Sequence, residues 1–193
     1  MLNQTFSLEN FEEIYDEDNR RGKNKDNDFF PEVVALSNRL TLKTKALQAF
    51  RKRYSSYEKY PKKIQDRYDL LLQNLKKERK KRDVAVTKSL QNTSQKVNQK
   101  SFFISIHQNN SLSHPVYQRD DTPEAYYALR QITRNIRNLY KTKPANRNLI
   151  VSQIINLLQD NFPYEIIRTD IKSFFESVDQ EILVKKLIDD QLL

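Results

Sequence analysis

Apolar positions recur at three- and four-residue steps through most of this chain, and that spacing predicts helices. Ile64, Tyr68, Leu71, Leu72 and Leu75 form one such stripe. Pro61 opens that helix, because its missing N–H costs nothing in a first turn. Upstream, Leu42, Ala46, Ala49 and Phe50 predict another helix, which carries Arg51, Lys52 and Arg53. Near the start, Leu8 to Ile14 reads as a short acidic helix with Ser7 as its N-cap. The polar stretch Asp16 to Asp28, with the only glycine, reads as a loop. Phe29-Phe30-Pro31 then reads as an anchor that docks two rings before the next helix. From Thr87 to Lys100 the chain turns polar, which predicts a loop or a weak helix end and a domain boundary.

The second half alternates between the two periods. Phe102 to His107 is β-rich and bounded by polar runs, so it predicts a strand. Thr122-Pro123-Glu124 is a helix opening: hydroxyl cap, proline at the first position, acid in the first turn. That helix is expected to run to about Tyr140, with Tyr126, Leu129, Ile132, Ile136 and Leu139 on its apolar side. After a turn around Pro144, a second helix is expected to bury Leu149, Ile150, Ile154, Leu157 and Leu158. Tyr164 to Ile171 is β-branched and apolar, which predicts a strand with Asp170 at its far end. Lys172 to Asp179 makes a corner. Gln180 to Leu193 then forms an amphipathic helix capped by Asp179, with Ile182, Leu183, Leu187, Ile188 and Leu192 inward. The expected class is α+β and mostly helical, with a basic helical region over residues 1–100 and a second region over 101–193.

Composition narrows the chemistry. One glycine in 193 residues excludes Walker-type phosphate loops and dinucleotide fingerprints, which need several. The absence of cysteine excludes disulfides and thiolate metal sites. Two histidines, His107 and His114, are too few for a multi-histidine metal centre. No apolar run is long enough to span a membrane, and the first residues do not form a secretory signal, so a cytoplasmic protein is expected. Charge is unevenly placed. Residues 1–38 hold 4 basic and 9 acidic residues, residues 39–100 hold 19 and 5, and residues 101–193 hold 11 of each. The whole positive excess therefore lies in the middle third. Such a stripe attracts polyanions, nucleic acid first among them, although a solvated helix face accounts for the same charges. Arg130, Arg134 and Arg137 share a helix face by spacing and suit phosphates, again with a solvated face as the plain alternative. Tyr54, Tyr57 and Tyr60 interleave with the cations, either to stack on bases or to edge a core.

An acid at a strand end, followed by two aromatics and a helix, suits metal-borne nucleotidyl transfer. A rigid carboxylate there can bridge two Mg²⁺ ions about 3.5–4 Å apart. An aspartate that ends a strand and caps the next turn satisfies the same spacing. The string Arg168-Thr169-Asp170-Ile171-Lys172-Ser173-Phe174-Phe175-Glu176-Ser177-Val178-Asp179 resembles the first palm motif of reverse transcriptases. It is most similar to the bacterial branch of retron, abortive-infection and defence-associated enzymes. Glu181 to Leu187 resembles the helix that trails this motif.

The resemblance implies a helical N-terminal extension, fingers and the first strand of a right-hand polymerase palm. It implies that Asp170 is the first of three metal-binding carboxylates and that the Ile171 carbonyl helps hold Mg²⁺. Phe175 would be the aromatic gate that excludes a 2′-hydroxyl. The implied activity is RNA-directed DNA polymerisation on an RNA or DNA template–primer with dNTPs, with antiphage defence as the setting. The family's later aromatic-x-Asp-Asp motif is absent. Asp189-Asp190 lies only 19 residues beyond Asp170, within a helix, and Asp120-Asp121 precedes the motif. The expectation is therefore an N-terminal portion that is inactive by itself and needs a C-terminal polymerase half as partner. The alternative reading is a non-enzymatic, basic helical nucleic-acid-binding protein.

Overall fold

A computed structural model of the chain describes residues 4–109, 116–142, 146–159, 165 and 177–192. The side-chain oxygen of Ser7 accepts the Asn10 N–H at 3.4 Å and starts α1 (Leu8–Arg20), with Glu9 in the first turn. The helix runs further than the polar composition predicts. It stops where Gly22 adopts φ +69°, which lets the Lys23 N–H reach back to the Asp18 carbonyl at 2.8 Å. A short α2 (Asp26–Phe29) follows, and Pro31 sits in the first turn of α3 (Pro31–Arg53). A single 3-10 turn, Tyr57–Lys59, leads to α4 (Lys62–Val97). At 1.5 Å per residue, α4 is about 54 Å long.

Helices α3 and α4 form an antiparallel hairpin, which two apolar clusters show. Near the tip, Leu47 and Phe50 of α3 bury with Tyr68 of α4, and Ile64, Leu71, Leu72 and Leu75 pack around them. The expected α4 stripe is thus its contact face. On α3 the buried residues are Leu47 and Phe50, whereas Leu42, Ala46 and Ala49 are exposed. Towards the base, Val33 of α3 joins Val86, Leu90 and Val97 of α4, together with Phe11, Ile14 and Tyr15 of α1. Phe30 is buried in this core and Phe29 packs against it, so the Phe29-Phe30-Pro31 anchor is seen as expected.

Of the two readings of Thr87 to Lys100, the helix end holds and the loop does not: α4 continues to Val97 and ends there. Its hydroxyl and amide groups dock the N-terminal segment. The Ser94 hydroxyl donates to the Phe6 carbonyl at 2.7 Å, Asn98 Nδ2 donates to the same oxygen at 2.9 Å, and the Thr87 hydroxyl donates to Glu12 at 3.0 Å. Side chains that signal a loop in sequence here satisfy backbone and carboxylate groups of a neighbouring element.

Beyond α4 the ladder begins later than expected. Strand β1 is Ile106–Asn109, paired antiparallel with β2 (Val116–Arg119) in the register Ile106↔Arg119. Phe102 and Ile104 pack on the main core instead of joining a sheet. Helix α5 (Pro123–Tyr140) starts as predicted, with the Thr122 hydroxyl accepting the Ala125 N–H at 3.3 Å. Its buried side is Ala125, Tyr127, Ala128, Gln131 and Asn135, while Tyr126, Leu129, Ile132, Ile136 and Leu139 are half-buried. Tyr127 wins the inward position because its ring meets Phe11 at 5.3 Å and Phe30 at 6.2 Å between centroids.

Packing divides the chain into two units: Thr5–Gln131, and the residues from Ile132 on together with Gln4. The second unit contains the end of α5, α6 (Arg147–Leu158) and α7 (Gln180–Asp189). Asn146 caps α6 and Asp179 caps α7, the latter as expected. The expected burial of their apolar residues is not seen. Leu149, Ile150, Ile154, Leu157 and Leu158 are exposed, as are Ile182, Leu183 and Ile188, with Ile182 at 68%. Amphipathic spacing supplies a face to bury, but an opposing surface must exist to bury it. No helix among the described residues is long and apolar enough to cross a membrane. The architecture is mostly helical with a small antiparallel sheet. The expected strand Tyr164 to Ile171 lies outside the described residues apart from Glu165.

Candidate nucleic-acid interface

The hairpin buries Leu47, Phe50 and Tyr68 between α3 and α4, and most cations of the two helices face solvent. Arg51, Lys52 and Arg53 end α3. Lys62, Lys63, Arg67, Lys76, Lys77, Arg79 and Lys80 are exposed along α4. Among the described residues, none of these seven, and not Arg53, has an ion-pair partner. Unpaired ammonium and guanidinium groups spaced along one long rod give a field that a polyanion backbone can satisfy in many registers.

Further along α4, Lys81, Arg82 and Lys96 have carboxylate partners. Lys81 pairs with Glu78 at 3.2 Å. Arg82 is a structural residue: Nε donates to the Ser37 hydroxyl at 2.8 Å, and Nη2 donates to the Tyr15 hydroxyl at 3.0 Å. It also lies 3.6 Å from Asp26, which is buried and accepts from the Tyr15 hydroxyl at 3.1 Å.

The tyrosines divide by role. Tyr57 stacks on Tyr68 at 4.0 Å between centroids. Arg51 donates to the Tyr68 hydroxyl at 2.8 Å and lies over that ring. These two rings belong to the small core, as the core-edge reading expects. Tyr54 also edges this core, 4.8 Å from Phe50 between centroids, and meets the exposed Tyr60 edge to face at 5.2 Å. Arg53 covers the Tyr54 ring at 5.6 Å from its centroid.

The predicted arginine row on α5 is not uniform. Arg130 donates to Asp18 at 2.7 Å and lies 3.9 Å from Glu17, so acidic α1 already compensates it. The Tyr126 hydroxyl also donates to Asp18, at 2.7 Å. Burial first, then the hydrogen bond to Asp18, pushes the Tyr126 phenol up to about 12. Arg134 is half-buried and Arg137 is exposed.

The remaining candidates fall into place as follows. His107 Nε2 lies 2.5 Å from Asp120 Oδ1, and this hydrogen bond holds the Asp120 carboxyl below its ordinary range. The Asp120-Asp121 pair thus serves the turn before the α5 cap, as the sequence suggests. Asp190 accepts from the Tyr140 hydroxyl and pairs with Lys186 at 3.1 Å, in the last turn of α7. Asp170, Ile171 and Phe175 lie outside the described residues, as does His114. Among the described residues, no group of three or more acidic or histidine side chains could hold a metal ion.

Sequence reasoning located the basic stretch but missed where its two helices open. Ala46 and Ala49 are three apart on α3 and exposed, and they face Leu71 across a cleft near the hairpin tip. Small residues at that spacing beside a terminal arginine run are the signal that was present. No family model, curated protein or solved structure matches this chain.

Proposed function

We propose that this chain binds nucleic acid, with the α3–α4 hairpin holding the sugar–phosphate backbone. The observation that carries this reading is the set of exposed α4 cations from Lys62 to Lys80 that have no ion-pair partner among the described residues. The purified chain should bind both RNA and DNA, with log K falling linearly as log salt rises, by about 0.7 per neutralised phosphate on a single strand. Affinity that does not change between low and high salt overturns this reading.

A second reading is favoured by the residues Arg168 to Asp179. It makes the chain the N-terminal portion of a reverse-transcriptase-like, RNA-directed DNA polymerase, with antiphage defence as its setting. In that reading Asp170 and the Ile171 carbonyl hold Mg²⁺, which neutralises phosphate charge. Phe175 packs under the sugar of an incoming dNTP. One carboxylate cannot hold two metal ions in catalytic geometry, so this chain alone should not extend a primer. The coding DNA beyond codon 193 should then carry an aromatic-x-Asp-Asp between apolar strands in one of its frames. Its absence removes the polymerase reading and leaves the binding one.

A further inference from the structure

The hairpin tip carries a feature that a merely basic rod does not need. Between α3 and α4 lies a cleft of about 250 Å³. Ala46, Ala49, Phe50, Tyr54 and Leu71 line it. Arg53 and Arg67 border it, one from each helix. The volume lies below the ~300–1,000 Å³ of pockets that enclose drug-sized ligands, and it suits a single ring system. The short side chains of Ala46 and Ala49 are exposed here and leave a shallow space above the buried Phe50 and the half-buried Leu71.

The two guanidinium groups at the cleft are available to an anion. Among the described residues, neither Arg53 nor Arg67 has a carboxylate partner. Arg53 rests instead on the Tyr54 ring. Tyr54 is held from the other directions, by Phe50 at 4.8 Å and by Tyr60 at 5.2 Å between centroids. A ring packed on its neighbours, with a guanidinium that has no carboxylate partner lying over one face, offers a stacking platform. An arriving base can take that face while the guanidinium moves to the phosphate.

We propose that this cleft takes one unpaired nucleotide of a single strand: the base on Tyr54 beside Ala46 and Ala49, the flanking phosphates on Arg53 and Arg67. The proposal rests on the nucleic-acid reading and adds to it a preference for unpaired over paired strands. A duplex keeps its bases stacked on one another, so it can use the α4 cations but not the cleft.

The test uses the full chain with a short single-stranded oligonucleotide carrying one 2-aminopurine, and with the matching duplex. Single strand should bind tighter than duplex, with a change in 2-aminopurine emission on binding. Tyr54→Leu should weaken single-strand binding by about tenfold, the loss of one stacked base. It should leave duplex binding and the salt slope unchanged. Arg67→Gln, on an exposed residue without a partner, keeps the fold and should lower the single-strand salt slope by about 0.7. Lys77→Gln with Lys80→Gln should weaken both ligands equally and leave their ratio intact. The cleft assignment is overturned if single strand and duplex bind alike, or if Arg67→Gln and Tyr54→Leu both leave single-strand affinity within twofold. If no nucleic acid binds at any salt, the broader reading falls with it.

Discussion

Arg82 shows how one residue of a basic run can be structural while its neighbours are not. It joins four elements: its own α4, Ser37 of α3, Tyr15 of α1 and Asp26 of α2. Asp26 is buried, and its Oδ2 takes donors from Tyr15 and Asn24. Removing the guanidinium leaves a buried carboxylate without its cation, which is costlier than losing an exposed pair. Arg82→Met should therefore lower unfolding stability by about 2–4 kcal/mol. Arg79→Met, three residues away and exposed, should change it by less than about 0.5 kcal/mol. Urea denaturation of the two variants separates them, and equal stabilities would refute the structural role. Nothing in the string Lys76 to Arg82 distinguishes these two arginines. The difference arises because residue 82 faces α1 and α2, and only the packing of the hairpin base creates that neighbourhood.

Helix α4 depends on two kinds of contact along its length. Its first half is held by the tip cluster, where Leu47, Phe50 and Tyr68 bury together. Its second half is held by the base cluster, where Leu90 is completely buried. Leu90→Ala should cost about 2–5 kcal/mol, the range for truncating a buried leucine. Leu70→Ala, on an exposed position of the same helix, should stay within about 0.5 kcal/mol. Thermal unfolding followed by circular dichroism compares them, and a Leu90→Ala midpoint equal to that of the parent chain would contradict the base cluster. The existence of α1, α3, α4, α5, α6 and α7 was legible from periodicity and caps, because Ser7, Thr122 and Asp179 accept the backbone N–H groups their types suggest. The continuation of α4 through Thr87–Val97 was not legible. Its polar groups find acceptors on Phe6 and Glu12, which are distant in sequence. The strand expected at Phe102–His107 starts four residues later, at Ile106, for a related reason. Phe102 and Ile104 gain more by packing on the main core than by a ladder, and pairing begins only at Ile106.

At the scale of the molecule, two surface characters coexist. The hairpin is strongly cationic, while α6 and α7 show apolar side chains such as Ile155 and Ile182 to solvent. Exposed apolar area of that kind binds hydrophobic dyes and promotes association. Ile155→Glu with Ile182→Glu should reduce 8-anilinonaphthalene-1-sulfonate fluorescence and self-association in sedimentation, with helix content unchanged. Undiminished dye binding would show that these faces are covered in solution. The sequence by itself determined the helical class, the caps, the hairpin's contact stripe on α4 and the position of the positive charge. Each of these follows from local spacing and residue chemistry. Only the tertiary structure decided which cations are free, which tyrosines edge the small core and where a ring-sized cleft opens between Ala46 and Leu71. Those properties depend on what stands opposite a side chain, and residues far apart in the chain become neighbours only when burying their apolar faces offsets the entropy of ordering them.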